Sequence, residues 1–238
     1  MITRTPQRGN ILFIILLAVV LFAALTFAIN SSMRGGGKDA SKESLGTEVN
    51  KIENFGLQVR TALQRMTNIG GYQFWQLDFS KANFSTATSN ATCTTSACKL
   101  HDPAGGGIGG FVIPQNMWGD ASVCSSVSTW VGRYYFRNAS VKGLGIDDKT
   151  DLLLVYPGVS KALCTAINDK YGVTNPGGDP PYAVAASPIT YTGTFTQEID
   201  VNAAVSLGNQ EPSIANKQMF CSLVTAGCYY VYYVLHER

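Results

Sequence analysis

Charged side chains are scarce in this chain. Asp, Glu, Lys and Arg together make up 14% of its 238 residues, against about a quarter in an ordinary soluble protein. The formal net charge is only +2, and the sequence contains no block of basic residues. The composition therefore gives no reason to expect a nucleic-acid partner. Gly, Ser, Thr and Asn take the place of the missing charges, which is typical of an exported protein body.

Histidine is rarer still. The only two are His101 and His236, which most of the chain separates. The sequence therefore offers almost no candidate residues for a histidine-based metal site or for a nucleophile activated by histidine. Gly105, Gly107 and Gly110 formally match the glycines of a dinucleotide-binding loop. The Phe-Val-Ile-Pro that follows cannot open the helix such a loop requires, so we interpret these glycines as an ordinary loop.

Two further patterns are too incomplete to carry chemistry. The acidic residues between Asp147 and Asp151 lack the alternating ligands and the glycine of a calcium loop. Gly158-x-Ser160-x-Ala162 lacks the last glycine of a nucleophile elbow. We therefore predict that the chain is not an enzyme and that it has no catalytic residue, cofactor or metal.

Charge is wholly absent from one segment, Ile11–Ile29, in which Thr26 is the only polar residue. A short head containing Arg4 and Arg8 precedes it. At about 1.5 Å per residue, a helix of this length would cross most of a hydrocarbon core. The basic head should stay inside the cell. We therefore predict a transmembrane helix over residues 10–32, with the rest of the chain across the membrane.

Two simpler interpretations of this segment stay open. Thr26-Phe27-Ala28 is an acceptable small-x-small site for ordinary signal peptidase, which would release a soluble protein that starts near Ile29. The segment could equally be an uncleaved signal anchor. Both also send the remainder of the chain across the membrane.

The junction at Gly9 resembles the class III leader of type IV prepilins, which a dedicated peptidase cuts after a glycine. The resemblance implies a basic leader of residues 1–9, cleavage between Gly9 and Asn10, and a helix that stays on the mature protein. It also implies three partners: the prepilin peptidase, the inner membrane before assembly, and other pilin subunits in a periplasmic or cell-surface filament. The residues expected to pack against neighbouring subunits are Ile11, Ile14, Leu17 and Leu21.

The match departs from the family at two positions. The family usually has Phe or another apolar residue at the first mature position and Glu at the fifth, where this chain has Asn10 and Ile14. In assembled pili the fifth-position carboxylate is thought to meet a neighbour's N-terminal ammonium inside the apolar core, where an unpaired charge would be costly. Some minor pseudopilins at the filament tip lack this Glu. The departure therefore favours a minor or tip subunit.

Helical periodicity follows the apolar segment. Gly35–Gly37 would each cost a helix about 1 kcal/mol, which predicts a hinge over residues 33–42 that is flexible or only marginally helical. One amphipathic helix is then expected from about Lys42 to Thr67. Its apolar stripe needs a sheet to cover it. The stripe consists of Val49, Ile52, Phe55, Val59, Leu63 and Met66.

Beyond Gly70 the pattern is mostly that of β-strands, with aromatic and β-branched runs between turn residues. Leu163–Tyr171 is expected to be a short helix, Asn175–Pro181 a rigid turn, and Asn83–Cys98 an exposed polar loop. The candidate strands are Gly110–Ile113, Thr129–Phe136, Leu152–Val155, Tyr182–Ala186, Ile189–Phe195 and Tyr229–Leu235. The last should be covered on both faces. The fold class is α+β, with an N-terminal hydrophobic helix and an amphipathic helix forming a pilin-like spine, packed on an antiparallel sheet over residues 43–238.

Six cysteines, an even number, all lie beyond the apolar segment. In an oxidising compartment they should form disulfides. Cys93 and Cys98 are close in sequence and lie in a loop too polar to order itself, so we expect them to form a bridge. The six residues are Cys93, Cys98, Cys124, Cys164, Cys221 and Cys228.

The body of the chain resembles type IVb pilins over about residues 107–164 and the terminal cysteines. Gly109–Pro114 is similar to their "G-x-IP" strand entry. Tyr156–Cys164 is similar to their "GVP-x-x-x-C" helix, with Ser160 where the family often has Pro. The resemblance implies a Cys164–Cys221 bridge, and with it Cys124–Cys228. The competing arrangement pairs Cys124 with Cys164 and joins Cys221 to Cys228 as a local clip.

Two functions remain from the sequence. The first is a structural subunit, minor or at the tip, of a bacterial pilus or secretion filament. The second is a membrane-anchored or secreted binding or adhesion protein that does not polymerise.

Overall fold

The computed structural model describes residues 11–81, 89–124, 131–146, 149–182 and 212–238. The fold is α+β, as predicted. Within these ranges, two α-helices and four strands follow one another in the order α1 Ile11–Asn68, β1 Tyr135–Ala139, β2 Asp151–Val159, α2 Lys161–Tyr171, β3 Met219–Thr225 and β4 Cys228–His236, with short 3-10 turns between them. The chain divides into two compact units, Met1–Ser44 and Leu45–Arg238, which are described separately.

In the first unit, α1 continues through residues 33–42. The three glycines there predict a stretch that is flexible or only marginally helical, and the backbone is helical throughout it. Helix propagation adds one hydrogen bond for each residue fixed, so long helical segments on both sides can carry the helix across unfavourable residues. The boundary between the two units lies just beyond the glycines, after Ser44.

In the second unit, α1 buries the predicted apolar stripe. All six of its side chains are at most 6% exposed, and they belong to one core cluster together with residues of the sheet. Between them on the helix, Asn50, Lys51, Leu57 and Gln64 face solvent. This confirms the expected amphipathic helix and its packing against the sheet.

The sheet has the strand order β1-β2-β4-β3, and every neighbouring pair is antiparallel. Alternate residues of its strands join two different cores. Leu154 and Val231 lie on the face that α1 covers, whereas Val155 and Tyr232 lie on the opposite face, together with Val141 and similar apolar residues. Strands β2 and β4 are therefore buried on both faces, as the aromatic and β-branched sequence of β4 predicts.

The predicted strands were partly right. β2 and β4 are confirmed, and β1 overlaps the predicted strand but begins at Tyr135. Gly110–Ile113 is not a strand: Ile113 makes a single backbone bond to Gly132. Gly109 and Gly110 on one side and Pro114 on the other leave only three residues between them, which are too few to form a strand ladder. β3 was not predicted.

Two predicted strands concern residues largely outside those described. Tyr182 makes an isolated parallel bridge to Leu223, and the rest of the Tyr182–Ala186 prediction lies beyond the described residues. The same holds for all of Ile189–Phe195.

Helix α2 begins at Lys161, two residues before the predicted start. Ser160 is its N-cap, and its hydroxyl accepts a hydrogen bond from the Leu163 amide at 3.3 Å. Gly172 ends the helix in the left-handed conformation, with φ of 66°, which glycine adopts without strain. The prediction missed these two residues because it started from the first large apolar residue, Leu163.

We call the second unit, Leu45–Arg238, the head. We predict that Ile52→Asp or Val59→Asp destabilises the head by about 3 kcal/mol or more, because each places an unpaired charge in its core. Both residues are 0% exposed. Leu57→Asp is the matched control, since Leu57 lies on the same helix and is 46% exposed. Urea unfolding and protease resistance of a fragment that starts at Ser44 measure the effect. Wild-type resistance of either core variant would contradict this packing.

Gly56 and Gly46 give a second pair of expected outcomes. A Cβ at Gly56 would lie 2.8 Å from three ring atoms of Tyr233, whereas one at Gly46 would meet nothing within 4 Å. Alanine at Gly46 should stabilise the helix by about 0.5–1 kcal/mol. Alanine at Gly56 should instead cost about 1–3 kcal/mol, because the aromatic ring has to move. Thermal unfolding of the two variants tests this, and a gain in stability from Gly56→Ala would show that the contact is not tight.

Candidate functional site

The most unusual surface among the described residues is that of residues 13–26, the first part of α1. Its large apolar side chains are 52–71% exposed and occur on every side of the helix. A monomeric soluble protein rarely leaves an apolar surface of this extent in water. The ten side chains are Phe13, Ile14, Ile15, Leu16, Leu17, Val19, Val20, Leu21, Phe22 and Leu25.

The polar groups of this part of α1 are satisfied by the helix itself. The Thr26 hydroxyl donates a hydrogen bond of 2.7 Å to the Phe22 carbonyl, one turn earlier. Such a bond leaves no side-chain donor in need of water. The segment is therefore chemically suited to apolar surroundings.

Among the residues that the structure describes, none of the helices combines the length and apolar character needed to cross a membrane.

The predicted site residues of this segment are placed as follows. Ile14, Leu17 and Leu21 are exposed by 64%, 52% and 62%. Ile11 is the first residue of α1. The proposed cleavage site, Gly9 and Asn10, lies outside the described residues.

All six cysteines form disulfides, in the pairs Cys93–Cys98, Cys124–Cys228 and Cys164–Cys221. This confirms the pairing that the type IVb resemblance implied and excludes the alternative with a local Cys221–Cys228 clip. No thiolate is left to bind a metal ion.

The two long-range disulfides reinforce opposite sides of the sheet. Cys164–Cys221 joins α2 to β3 within the core that faces α1, whereas Cys124–Cys228 ties the loop before β1 to the start of β4 within the other core. The buried amide of Asn168 supports the first bridge. It donates to the Cys221 carbonyl at 3.0 Å and accepts from the Cys221 amide at 2.8 Å.

Both histidines have structural surroundings. His101 Nδ1 lies 3.0 Å from the Ile108 carbonyl, and burial lowers the pKa of His101. His236 stacks on Phe74 with a centroid distance of 4.2 Å, and burial also lowers the pKa of His236. Within the described ranges, no three His, Cys, Asp or Glu residues are placed so as to hold a metal ion.

The other sequence patterns have local explanations. Ser160 caps α2, so its hydroxyl already serves the backbone. Gly105 and Gly106 lie in a tight turn, and their carbonyls accept hydrogen bonds from Arg65 at 3.0 and 2.8 Å. The glycine pattern is therefore a loop, as predicted, and hydrogen bonds from Arg65 hold it against α1. The acidic pair Asp147 and Asp148 lies outside the described residues.

Some tertiary interactions were not predicted from the sequence. Arg60 of α1 donates to the Gln218 side chain at 3.0 Å and lies 3.8 Å from Glu237. Lys170 of α2 pairs with Glu53 of α1, and its hydrogen bond lowers the pKa of that carboxyl. These partners are far apart in the chain, and no local pattern marks them.

Comparisons of the chain with protein-family models, with curated proteins and with solved structures each gave no significant match.

We predict unequal contributions from the disulfides. Chain entropy gives about 4 kcal/mol for a bridge that closes a long loop and about 2 kcal/mol for a very short one. Cys164 and Cys221 are separated by 57 residues, but Cys93 and Cys98 by only 5. Replacing the first pair with alanines should therefore lower the unfolding free energy about twice as much as replacing the second.

Urea unfolding of both double variants measures this difference. Non-reducing peptide mapping of each should show that the remaining two bridges keep their partners. Equal losses of stability would contradict the loop-closure argument.

Proposed function

We propose that the chain is a type IV pilin-like structural subunit, minor or at the tip of a bacterial pilus or secretion filament. Its N-terminal helix is inserted in the inner membrane before assembly and packs against other pilin subunits afterwards, and its disulfide-bonded head is exposed. The observation that carries the proposal is the contrast within α1. Its first part presents apolar side chains on all sides, and its last part buries one stripe in the head.

Removing this apolar surface from water supplies a driving force for assembly. Fully burying one large apolar side chain is worth about 1.5–3 kcal/mol. Ten such side chains are more than half exposed. Lipid can cover them before assembly and neighbouring helices can cover them in a filament, so the same surface serves both stages.

Ile14 favours a minor subunit over a major one. It stands where the pilin family usually has a glutamate, which would pair with a neighbour's N-terminal ammonium. A subunit without this carboxylate cannot provide that pairing at every step of a long filament. It can still occupy an end, where one of the two neighbours is missing.

The head adds support of a different kind. The Cys164–Cys221 bridge connects a short helix to a strand near the C-terminus, which is the connection that the type IVb resemblance implies. Its packing on the second part of α1 agrees with a pilin-like spine. The proposal includes no catalytic residue, no cofactor and no nucleic-acid partner.

The N-terminus of the mature protein separates this proposal from its alternative. Material sheared from cells should begin at Asn10, after cleavage by a prepilin peptidase. A start near Ile29, or at an uncleaved Met1, would instead indicate a secreted or membrane-anchored binding or adhesion protein that does not polymerise. N-terminal sequencing gives the answer directly.

We also predict that Leu17→Lys abolishes incorporation into filaments. A lysine in the middle of an apolar helix costs about 3 kcal/mol, which corresponds to an effect on the order of a hundredfold. Leu17→Ile is the matched control and should assemble normally. The amount of each variant in sheared filaments is measured by immunoblotting against its total cellular level.

The head should be unaffected by this change. A fragment starting at Ser44 keeps the compact unit Leu45–Arg238 and should remain folded. Normal incorporation of Leu17→Lys would show that the helix serves only as an anchor.

A further inference from the structure

The loop of residues 99–108 covers part of α1 and is held there at two points. On one side, Arg65 of α1 donates to the carbonyls of Gly105 and Gly106. On the other side, the ring of His101 lies between Ile108 and Tyr134. Leu100 and Ile108 of this loop are buried in the core that α1 shares with the sheet. Movement of the loop would therefore expose apolar surface next to α1.

The contacts of His101 define its neutral form. Nδ1 lies 3.0 Å from the Ile108 carbonyl oxygen, which can only accept, so Nδ1 carries the proton. Nε2 is then an acceptor, and the Tyr134 hydroxyl lies 3.4 Å from it. Tyr134 is 1% exposed, and its ring packs 5.1 Å from that of Phe55 on α1. The neutral imidazole thus links the loop to the aromatic core.

Protonation would disturb this arrangement. Both ring nitrogens of an imidazolium are donors, so the Tyr134 hydroxyl would have to turn and lose its acceptor within the buried core. Desolvation is the largest cause that lowers the pKa of His101, and it outweighs the hydrogen bond to the Ile108 carbonyl, which raises that pKa. The closed loop therefore disfavours the charged ring.

The charged groups near His101 do not compensate for this cost. Lys81 lowers the pKa of His101 and Asp78 raises it, both less than burial does. The Asp78 carboxylate accepts from the Ser80 amide, and that of Asp102 in the loop accepts from the Ala104 amide. Arg65 is directed at the loop carbonyls. None of the salt bridges among the described residues involves His101.

We propose that His101 is an acid-sensitive latch, which holds loop 99–108 closed on α1 at neutral pH and releases it when the ring is protonated. Release would remove one wall of the groove that lies between the closed loop and α1, because Gly106 and Ile108 of the loop line it. This groove has a volume of about 480 Å³ and is lined by Leu57, Ala62, Arg65 and Ile108, among other residues. The inference does not depend on whether the protein forms filaments.

The sign of the pH effect follows from linkage. The open loop exposes His101, whose ordinary pKa is about 6.5, and the closed loop has a lower pKa. The open state therefore binds more protons, so closure is most stable above the ordinary value. It weakens as the pH falls from there towards the pKa of the closed state. At about pH 5.5, one unit below the ordinary value, closure should be weakened by up to about tenfold.

The latch is tested on the full chain, with its disulfides intact, in detergent micelles. Hydrogen exchange of peptides covering residues 99–110 is measured at about pH 7.5 and about pH 5.5 and corrected for the intrinsic pH dependence of exchange. The wild-type loop should lose up to about tenfold in protection, while β2 and β4 keep theirs. His101→Gln should show no such change, because a glutamine amide can make both hydrogen bonds but does not titrate.

His236→Gln is the matched control. The chain has only two histidines, so this variant leaves His101 as the sole histidine. His236→Gln should lose protection at the lower pH as the wild type does. This expectation holds even if the loop of His101→Gln is unprotected at both pH values. A pH-independent loop in the wild type, a wild-type response in His101→Gln, or a response abolished by His236→Gln would each overturn the proposal. Equal loss of protection in β2 and β4 would also overturn it, because that would be global unfolding by acid.

Discussion

The head depends on the packing of one face of α1 against the sheet. Phe55 enters a group of aromatic rings and lies 5.1 Å from Tyr134 and 5.6 Å from Phe111, measured between ring centroids. At the next position, Gly56 has no side chain, which allows Tyr233 of β4 to approach the helix backbone. A bulky side chain at Phe55 and the lack of a side chain at Gly56 thus determine how closely the helix and the sheet approach each other. Without this contact, the face of the sheet towards α1 and the apolar residues of the loop 99–108 would lose the helix that they pack against.

The disulfides reinforce a layered structure in which an apolar core packs on each face of the sheet. Each long-range bridge lies in a different core, one towards α1 and one on the opposite face. Such bridges act mainly by restricting the unfolded chain. They are therefore suited to a protein whose low content of charged residues provides few ion pairs. Four salt bridges connect described residues, and partly exposed pairs of this kind contribute little each.

Periodicity predicted the elements whose patterns are local. The stripe on α1 repeats every three or four residues, and the dense aromatic run of β4 indicates a strand buried on both faces. β3 was missed because Met219–Thr225 shows no clear alternation of apolar and polar residues. The polar supports of the head, such as Asn168 on Cys221 and Arg60 on Gln218, join residues that only the folded chain brings together. The first part of α1 shows which residues are apolar, but not what covers them.

The two ends of α1 use the same kinds of residue for different purposes. In the last part, apolar residues occupy the face that packs against the sheet, and polar residues occupy the face that is exposed to solvent. In the first part, apolar residues occupy all faces, so no single sheet could cover them. A surface that is apolar all round can be satisfied only by surroundings on every side, such as lipid or several neighbouring helices. The intramolecular bond of Thr26 removes the one side-chain group that would resist this transfer. The first part of α1 therefore leaves an exposed apolar surface, and the filament proposed above is one way to cover it.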